Sequence, residues 1–531
     1  MARLLRALVV CCSTLGCAAS GALSEPQVSL PEGAKLLPAR ARRLTNFELD
    51  NSLSRLTGLE VALAPQLPRD VRQEGYTPNA NQDVSSAWAA RYSTLVGELS
   101  TRAASELGQA SSCHDLGAAC RQRQVQELGR LAFRRSLNAE ERASLEALLR
   151  EAAESGETFE GGLALLLRAL LESPSFLYVT ELGSDTTSQP KRLDDAELAS
   201  SLSFMLTGAP PDPALLDFAE RGGLRTPHGR VQQALRLLGI PSTRYQFRRF
   251  ALEWLEVDGL LDTAKSSELY PSYEALKPFM LAETENYVDE VMVHGGASVQ
   301  SLLASGFASV GPEMARFYGL STYGPRASLR GTGRLGVLQQ ASFLAAHAHE
   351  DVTSPVKRGD FVMRKLLCEK LKRPAEIGLE VVMPPPSAKL SNRERLTQHI
   401  ADPGCAACHS RLDPIGYTFE GFNAMGGSQT TDHDKPVNTR DRVVLGPGPN
   451  DVADLGSSAA LTQALLQNPT ISECFARHAF RYFSAQADPA VEASFLSLRA
   501  QLPDAQRDNL FQVLLAYVAS DLFALRQSEG G

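Results

Sequence analysis

The chain has 531 residues, of which 43% are hydrophobic, 21% charged and 7% aromatic, enough apolar material for several cores and roughly three to five domains of about 100–200 residues. Its 61 acidic and 53 basic side chains leave a net charge of −8, which argues against a protein whose main task is to hold nucleic acid. The composition is too apolar for a disordered chain and carries no collagen or coiled-coil bias; the nine cysteines are its most informative feature.

Residues 1–22 read as an export signal. Arg3 and Arg6 precede an apolar stretch from Ala7 to Leu15, and small residues follow in Gly16-Cys17-Ala18-Ala19-Ser20. Cys17 is a candidate lipid-anchor site, although Thr14 stands where such a signal usually carries Leu; Ser20-Gly21-Ala22 offers ordinary cleavage instead. No later stretch reaches about 18 uninterrupted apolar residues, so the mature chain is expected to be soluble or lipid-anchored, in the periplasm or on the outer cell surface.

The fold class expected is mainly α, several packed helical domains around a cytochrome c-like segment. Residues 23–110 form an N-terminal helical region, in which Thr45-x-x-Glu48 is a capping box opening an amphipathic helix. A helical domain over 111–185 follows. In it, Cys113 and Cys120 flank a short loop containing Asp115 and Gly117, and in an oxidising compartment that spacing predicts a local disulfide. Asn138-x-x-Glu141 opens a further helix there, and Asp194 with Glu197 opens the first helix of a central helical domain, 186–330. The rings of Phe247, Phe250 and Trp254 read as helix packing. Loops at 181–190, 208–213, 383–388 and 445–450 interrupt the helical pattern and are the expected boundaries.

A haem domain is expected over 331–440. Ser354-Pro355 supplies an N-cap and a first-turn proline for a helix running through Leu371. Pro384-Pro385-Pro386 predicts an extended strap, and Ser391-x-x-Glu394 caps a short helix through His399. Then comes Cys405-Ala406-Ala407-Cys408-His409. Two thiols at i and i+3 lie on one face of a helical turn, where each can add to one vinyl group of a haem and the next imidazole can reach the iron. Structural zinc would need a second ligand pair close by, and none follows His409; a thioredoxin-like redox pair would need a preceding strand and a βαβ context. Haem c, held by Cys405 and Cys408 with His409 as proximal iron ligand, is therefore the expected cofactor, and it is attached outside the cytoplasm, in keeping with export.

The sixth position separates electron transfer from catalysis. Met425, sixteen residues beyond His409, is a candidate distal ligand, with a buried apolar side chain as the competing reading. His347, His349, His399, His433 and His478 are further candidates. Cys368 and Cys474 lie in helical stretches of the haem domain and of a C-terminal helical domain, 450–531, and either pair or serve as core cysteines. There is no Walker loop, G-x-S-x-G elbow, H-E-x-x-H or Rossmann fingerprint.

Several stretches, in order over about residues 42–525, resemble the multidomain cytochrome c-like family of exported planctomycete and myxobacterial proteins. They are Arg42-Arg43-Leu44-Thr45-Asn46-Phe47-Glu48, Ala132-Phe133-Arg134-Arg135-Ser136-Leu137 with Ser136 in place of the usual proline, Ser173 to Tyr178, Trp254-Leu255, Thr353-Ser354-Pro355-Val356-Lys357-Arg358-Gly359, the Cys405–His409 motif with Asp413-Pro414-Ile415-Gly416-Tyr417, and Cys474 to Phe483. The resemblance implies a helical, exported, haem-binding protein whose reaction is not established, and it weakens Met425 as a ligand. Ser354, Lys357 and Arg358 read either as a cap with cations near haem propionates or as helix capping with solvated charge.

Three functions fit these observations. The favoured one is electron transfer in the periplasm or at the cell surface, with a redox partner protein. A haem-dependent, peroxidase-like oxidoreductase with an open sixth site is the alternative, since the chain is longer than a simple carrier needs. An envelope binding or scaffold protein is the third.

Overall fold

The computed structural model describes residues 25–183, 190–294, 296–371, 389–399, 403–446 and 451–527. The export segment with Cys17, and the prolines 384–386, lie outside them. Of the described residues 58% are helical and 9% strand, a mainly helical architecture in which the strands, among the described residues, form only two-stranded pairs.

The helix starts follow from capping chemistry. Thr45, Asn138 and Asp194 each accept the backbone N–H of the third helical residue, and Glu48, Glu141 and Glu197 reach back to the cap. The helices they open are Asn46–Thr57, Ala139–Glu154 and Asp195–Thr207. One core unites residues 44–179: Leu49 and Leu53 of the first helix, Trp88, Tyr92 and Val96 of Ser86–Ala110, Val125 of Ala118–Phe133, and Leu166, Leu167 and Leu170 of Phe159–Leu171. The expected N-terminal region and the helical domain after it share this single cluster. Strand Arg40–Arg43 pairs antiparallel with Tyr178–Glu181 and closes the unit on itself.

The largest cluster is long-range. It draws together Leu202 and Leu206, Leu215, Phe247, Phe250 and Trp254, Phe343, Phe361, Ile415, Phe419 and the C-terminal Phe475, Phe480, Phe483, Val513 and Tyr517. The loop at 208–213 is not a boundary, because the helices on either side, Asp195–Thr207 and Pro213–Glu220, face this same core; Gly208 turns the chain in the left-handed region at φ 61°. A third cluster, around Met280, Met314, Tyr318, Ala341 and Met425, lies against the helix Tyr273–His294 and the pair Phe307–Val310/Gly324–Ser328.

Strand Arg40–Arg43 and the segment at Arg526 are tied together through one buried carboxylate. Glu181 receives Arg40 at 2.8 Å and Arg526 at 3.1 Å, and Ser201 donates at 2.8 Å. Burial opposes ionisation of Glu181, and the two guanidiniums overcome it and hold its carboxyl well below the usual range.

Candidate functional site

The helix Pro403–Tyr417 carries both motif cysteines and His409. Cys405 and Cys408 are free thiols of intermediate exposure, and Cys408 packs against the largest core cluster. One turn further along, Asp413 lies on the same face as His409. His409 Nδ1 is 3.0 Å from Asp413 Oδ1; because a carboxylate only accepts, Nδ1 carries the proton, the tautomer whose Nε2 bears the lone pair. Asp413 is 0% exposed, and its Oδ2 has no hydrogen-bond partner. Two free thiols at i and i+3, an imidazole held in the metal-binding tautomer and an under-satisfied buried carboxylate form a donor set that fits a c-type haem. The sequence carries Asp413 within the family-like stretch after the motif but assigns it no role beside His409; its i+4 spacing on a helix was the signal.

The helix Pro403–Tyr417 is seated by the other conspicuous motif. Thr353 to Gly359 forms a turn and the helix Pro355–Phe361, which crosses Pro403–Tyr417 at van der Waals distance. Two glycines make the crossing fit: a Cβ on Gly359 would sit 2.2 Å from Leu412 O, and one on Gly416 would sit 2.0 Å from Pro355 O. Ser354 caps the helix by accepting from Lys357 N. Thr353 donates to Glu420 at 2.7 Å, and Asn392 Nδ2 donates to Thr353.

Arg358 is no surface cation. It is 0% exposed and donates to the carbonyls of Phe419, Phe422, Asn423 and Leu344 at 3.1–3.2 Å, with Glu420 at 3.5 Å. Burial lowers its pKa to about 10. Lys357 donates to Ala348 O. The capping reading of this stretch therefore describes Ser354, and Arg358 serves as an internal pin for the chain that follows the helix Pro403–Tyr417.

The helix started by Ser354-Pro355 stops short of Leu371. It widens into one π-helical turn over Val362–Leu366, and Cys368 adopts the left-handed region at φ 54°. There Cys368 is bonded to Cys474 of the helix Thr470–Phe483. Cys113 is bonded to Cys120 across the loop before Ala118–Phe133, with a Cα–Cα distance of 5.7 Å.

The candidate distal ligands are scattered. Met425 is 6% exposed and belongs to the third core cluster, while its backbone N–H donates to Asn423 Oδ1. Arg334 donates to the neighbouring Gly426 O and stacks on Tyr318 and Phe422. His347 caps the helix Ala341–Ala346; its Nδ1 donates to Phe343 O, its Nε2 lies 3.6 Å from Glu256, and its ring stacks on Phe343. His478 is buried with both nitrogens engaged, Nδ1 accepting from Tyr76 OH at 3.0 Å and Nε2 donating to Arg364 O at 3.2 Å. His349 is exposed, and exposed His433 donates to Asp432 at 2.8 Å. The side chain of His399 lies outside the described residues.

Four family models match, each a protein of unknown function: PSD3 (DUF1587) over residues 42–105, PSD5 (DUF1595) over 120–181, PSD4 (DUF1592) over 193–320 and PSCyt3 (DUF1588) over 334–432. Four domains of unknown function follow one another along this chain. The PSCyt3 segment contains the Thr353–Gly359 turn and helix, the Cys405–His409 motif, Asp413 and Met425. No curated protein and no solved structure matches the chain. No helix among the described residues is long and apolar enough to cross a membrane.

Proposed function

We propose that this is an exported c-type haem protein that transfers electrons in the periplasm or at the cell surface. Cys405 and Cys408 would hold haem c covalently, and His409 would ligate its iron. The observation that carries the reading is the single helix bearing two free thiols, the following imidazole and the buried carboxylate that fixes its tautomer. The name of the matched PSCyt3 domain is in keeping with it. When bound, the haem supplies a one-electron iron couple. The chain's own residues orient it: Gly359 and Gly416 let the two helices meet, and Arg358 fixes the segment from Phe419 to Asn423. A redox protein would be the partner, and the chain would be soluble or anchored through Cys17.

One observation favours a second reading, a peroxidase-like oxidoreductase with an open sixth position. His347 and His478 have their ring nitrogens turned to other partners, and Met425 packs in a different cluster from Cys408. Periplasmic expression decides between these readings. A reduced α-band that is lost in Cys405→Ala supports covalent haem, and absence of any band sinks both. Binding of carbon monoxide or cyanide favours the oxidoreductase; refusal favours electron transfer.

A further inference from the structure

Asp413 is an unusual neighbour for a ligating histidine in its isolation. It is completely buried, and among the described residues its ion pairs run to His409 alone, at 3.0 Å. The nearby basic side chains are committed elsewhere: Arg411 to Glu369 at 3.0 Å, and Arg393 to Asp441 at 2.6 Å and to the ring of Tyr417 at 4.2 Å. Oδ2 has no donor at all. A buried carboxylate with one orphaned oxygen and a single N–H partner is costly where it stands, because little in the protein balances its charge. Among the described residues, that geometry leaves the His409 N–H as the one donor through which the carboxylate acts, at 3.0 Å from Nδ1.

The hydrogen bond at Nδ1 would act on a metal held at Nε2. A hydrogen bond from a ligating histidine to a carboxylate raises the basicity of the ligand, and hydrogen bonding around the axial ligand is one of the protein's levers on haem potential. Resting on the haem reading above, we propose that Asp413 is a positioning residue that gives His409 imidazolate character, favouring ferric over ferrous iron and setting this centre at a low reduction potential. A histidine bonded to a neutral acceptor would not do this. The centre would thus be built to give up an electron, whether to a partner protein or to an oxidant at an open sixth position.

The test is a redox titration of the full haem-loaded chain beside Asp413→Asn and Asp413→Glu. Asparagine keeps a hydrogen-bond acceptor and removes the charge. The expected result is a midpoint moved upward by at least tenfold in the ferrous-to-ferric ratio, about 59 mV for one electron, with Asp413→Glu staying near the parent. A haem-bearing Asp413→Asn protein with an unchanged midpoint overturns the inference and leaves the haem reading intact. A parent protein that carries no covalent haem overturns both. Should Asp413→Asn fail to fold, nitrogen-15 spectra of the parent in its diamagnetic ferrous form, with carbon monoxide added where it binds, report the same property. A His409 Nδ1 shift displaced toward imidazolate supports the inference, and an ordinary neutral-imidazole shift overturns it.

Discussion

Glu283 has a different problem from Asp413: its charge serves no neighbour closely enough to be worth keeping. It is 2% exposed, accepts a 2.6 Å hydrogen bond from Tyr318 and leaves Oε1 without a partner. Burial pushes its carboxyl up to about 7, with Tyr318 and Arg334 opposing the rise only in part. The folded protein therefore binds this proton more tightly than the unfolded chain, where the carboxyl has its ordinary value of 4.5. Its favourable contribution is complete below about pH 4.5 and is lost as pH rises through about 7, on the order of 3 kcal/mol in all. Melting temperatures of the parent and Glu283→Gln, measured from pH 4.5 to 8, should diverge, with the variant gaining relative stability toward the alkaline end. Parallel curves would contradict this account. Single residues of this kind were the least legible in the sequence. Asp413, Arg358 and Glu283 are ordinary charged residues on helices or at their ends until packing removes water from them, and only the His409–Asp413 spacing left a trace that periodicity could have caught.

Elements were far more legible, because caps are local chemistry. Thr45-x-x-Glu48, Asn138-x-x-Glu141 and Asp194-x-x-Glu197 each open the helix their spacing predicts. Helix ends governed by tertiary contacts were not readable. The run from Pro355 breaks at a π-helical turn and at left-handed Cys368, where a bond to a distant helix dictates the backbone. Likewise Gly359 and Gly416 look like weak points in two helices, whereas each is the point where the other helix's carbonyl approaches. Adding a methyl at either should force the helices apart and destabilise the protein by roughly 3 kcal/mol, the upper range for overpacking. Because both methyl groups would open the same crossing, Gly359→Ala with Gly416→Ala should cost less than the two single changes together. Urea unfolding of the three variants measures this, and strict additivity would show that the two contacts are independent. Haem incorporation should fall in step with stability, since the crossing seats the helix that carries Cys405, Cys408 and His409.

At the scale of the whole molecule the two disulfides differ in what they enclose. Cys113 and Cys120 are 7 residues apart, whereas Cys368 and Cys474 are 106 apart and bracket the entire haem-motif helix, the pair Asp441–Val444/Val452–Leu455 and the helix Ser458–Leu466. In the chain-entropy description, stabilisation grows with the logarithm of the enclosed loop, giving about 2.4 kcal/mol for the short bridge and about 4.7 kcal/mol for the long one. The long bridge also lies inside the protein's interior: Cys474 is buried, its Sγ is 3.5 Å from Lys365 O, and the ligand atoms of Cys368, Cys474 and His478 lie within 4.8 Å of one another. Its loss should therefore be felt by the segment it encloses, while the N-terminal core, which contains Cys113, depends on it little. Cys474→Ala is expected to lower the unfolding free energy by about twice as much as Cys120→Ala, and to open new proteolytic cuts between residues 369 and 473 while sparing residues 44–179. Equal losses in the two variants, or cuts spread evenly along the chain, would mean that the long bridge only reports a packing already complete without it, and that the helix Pro403–Tyr417 is held by Arg358, Gly359 and Gly416 alone.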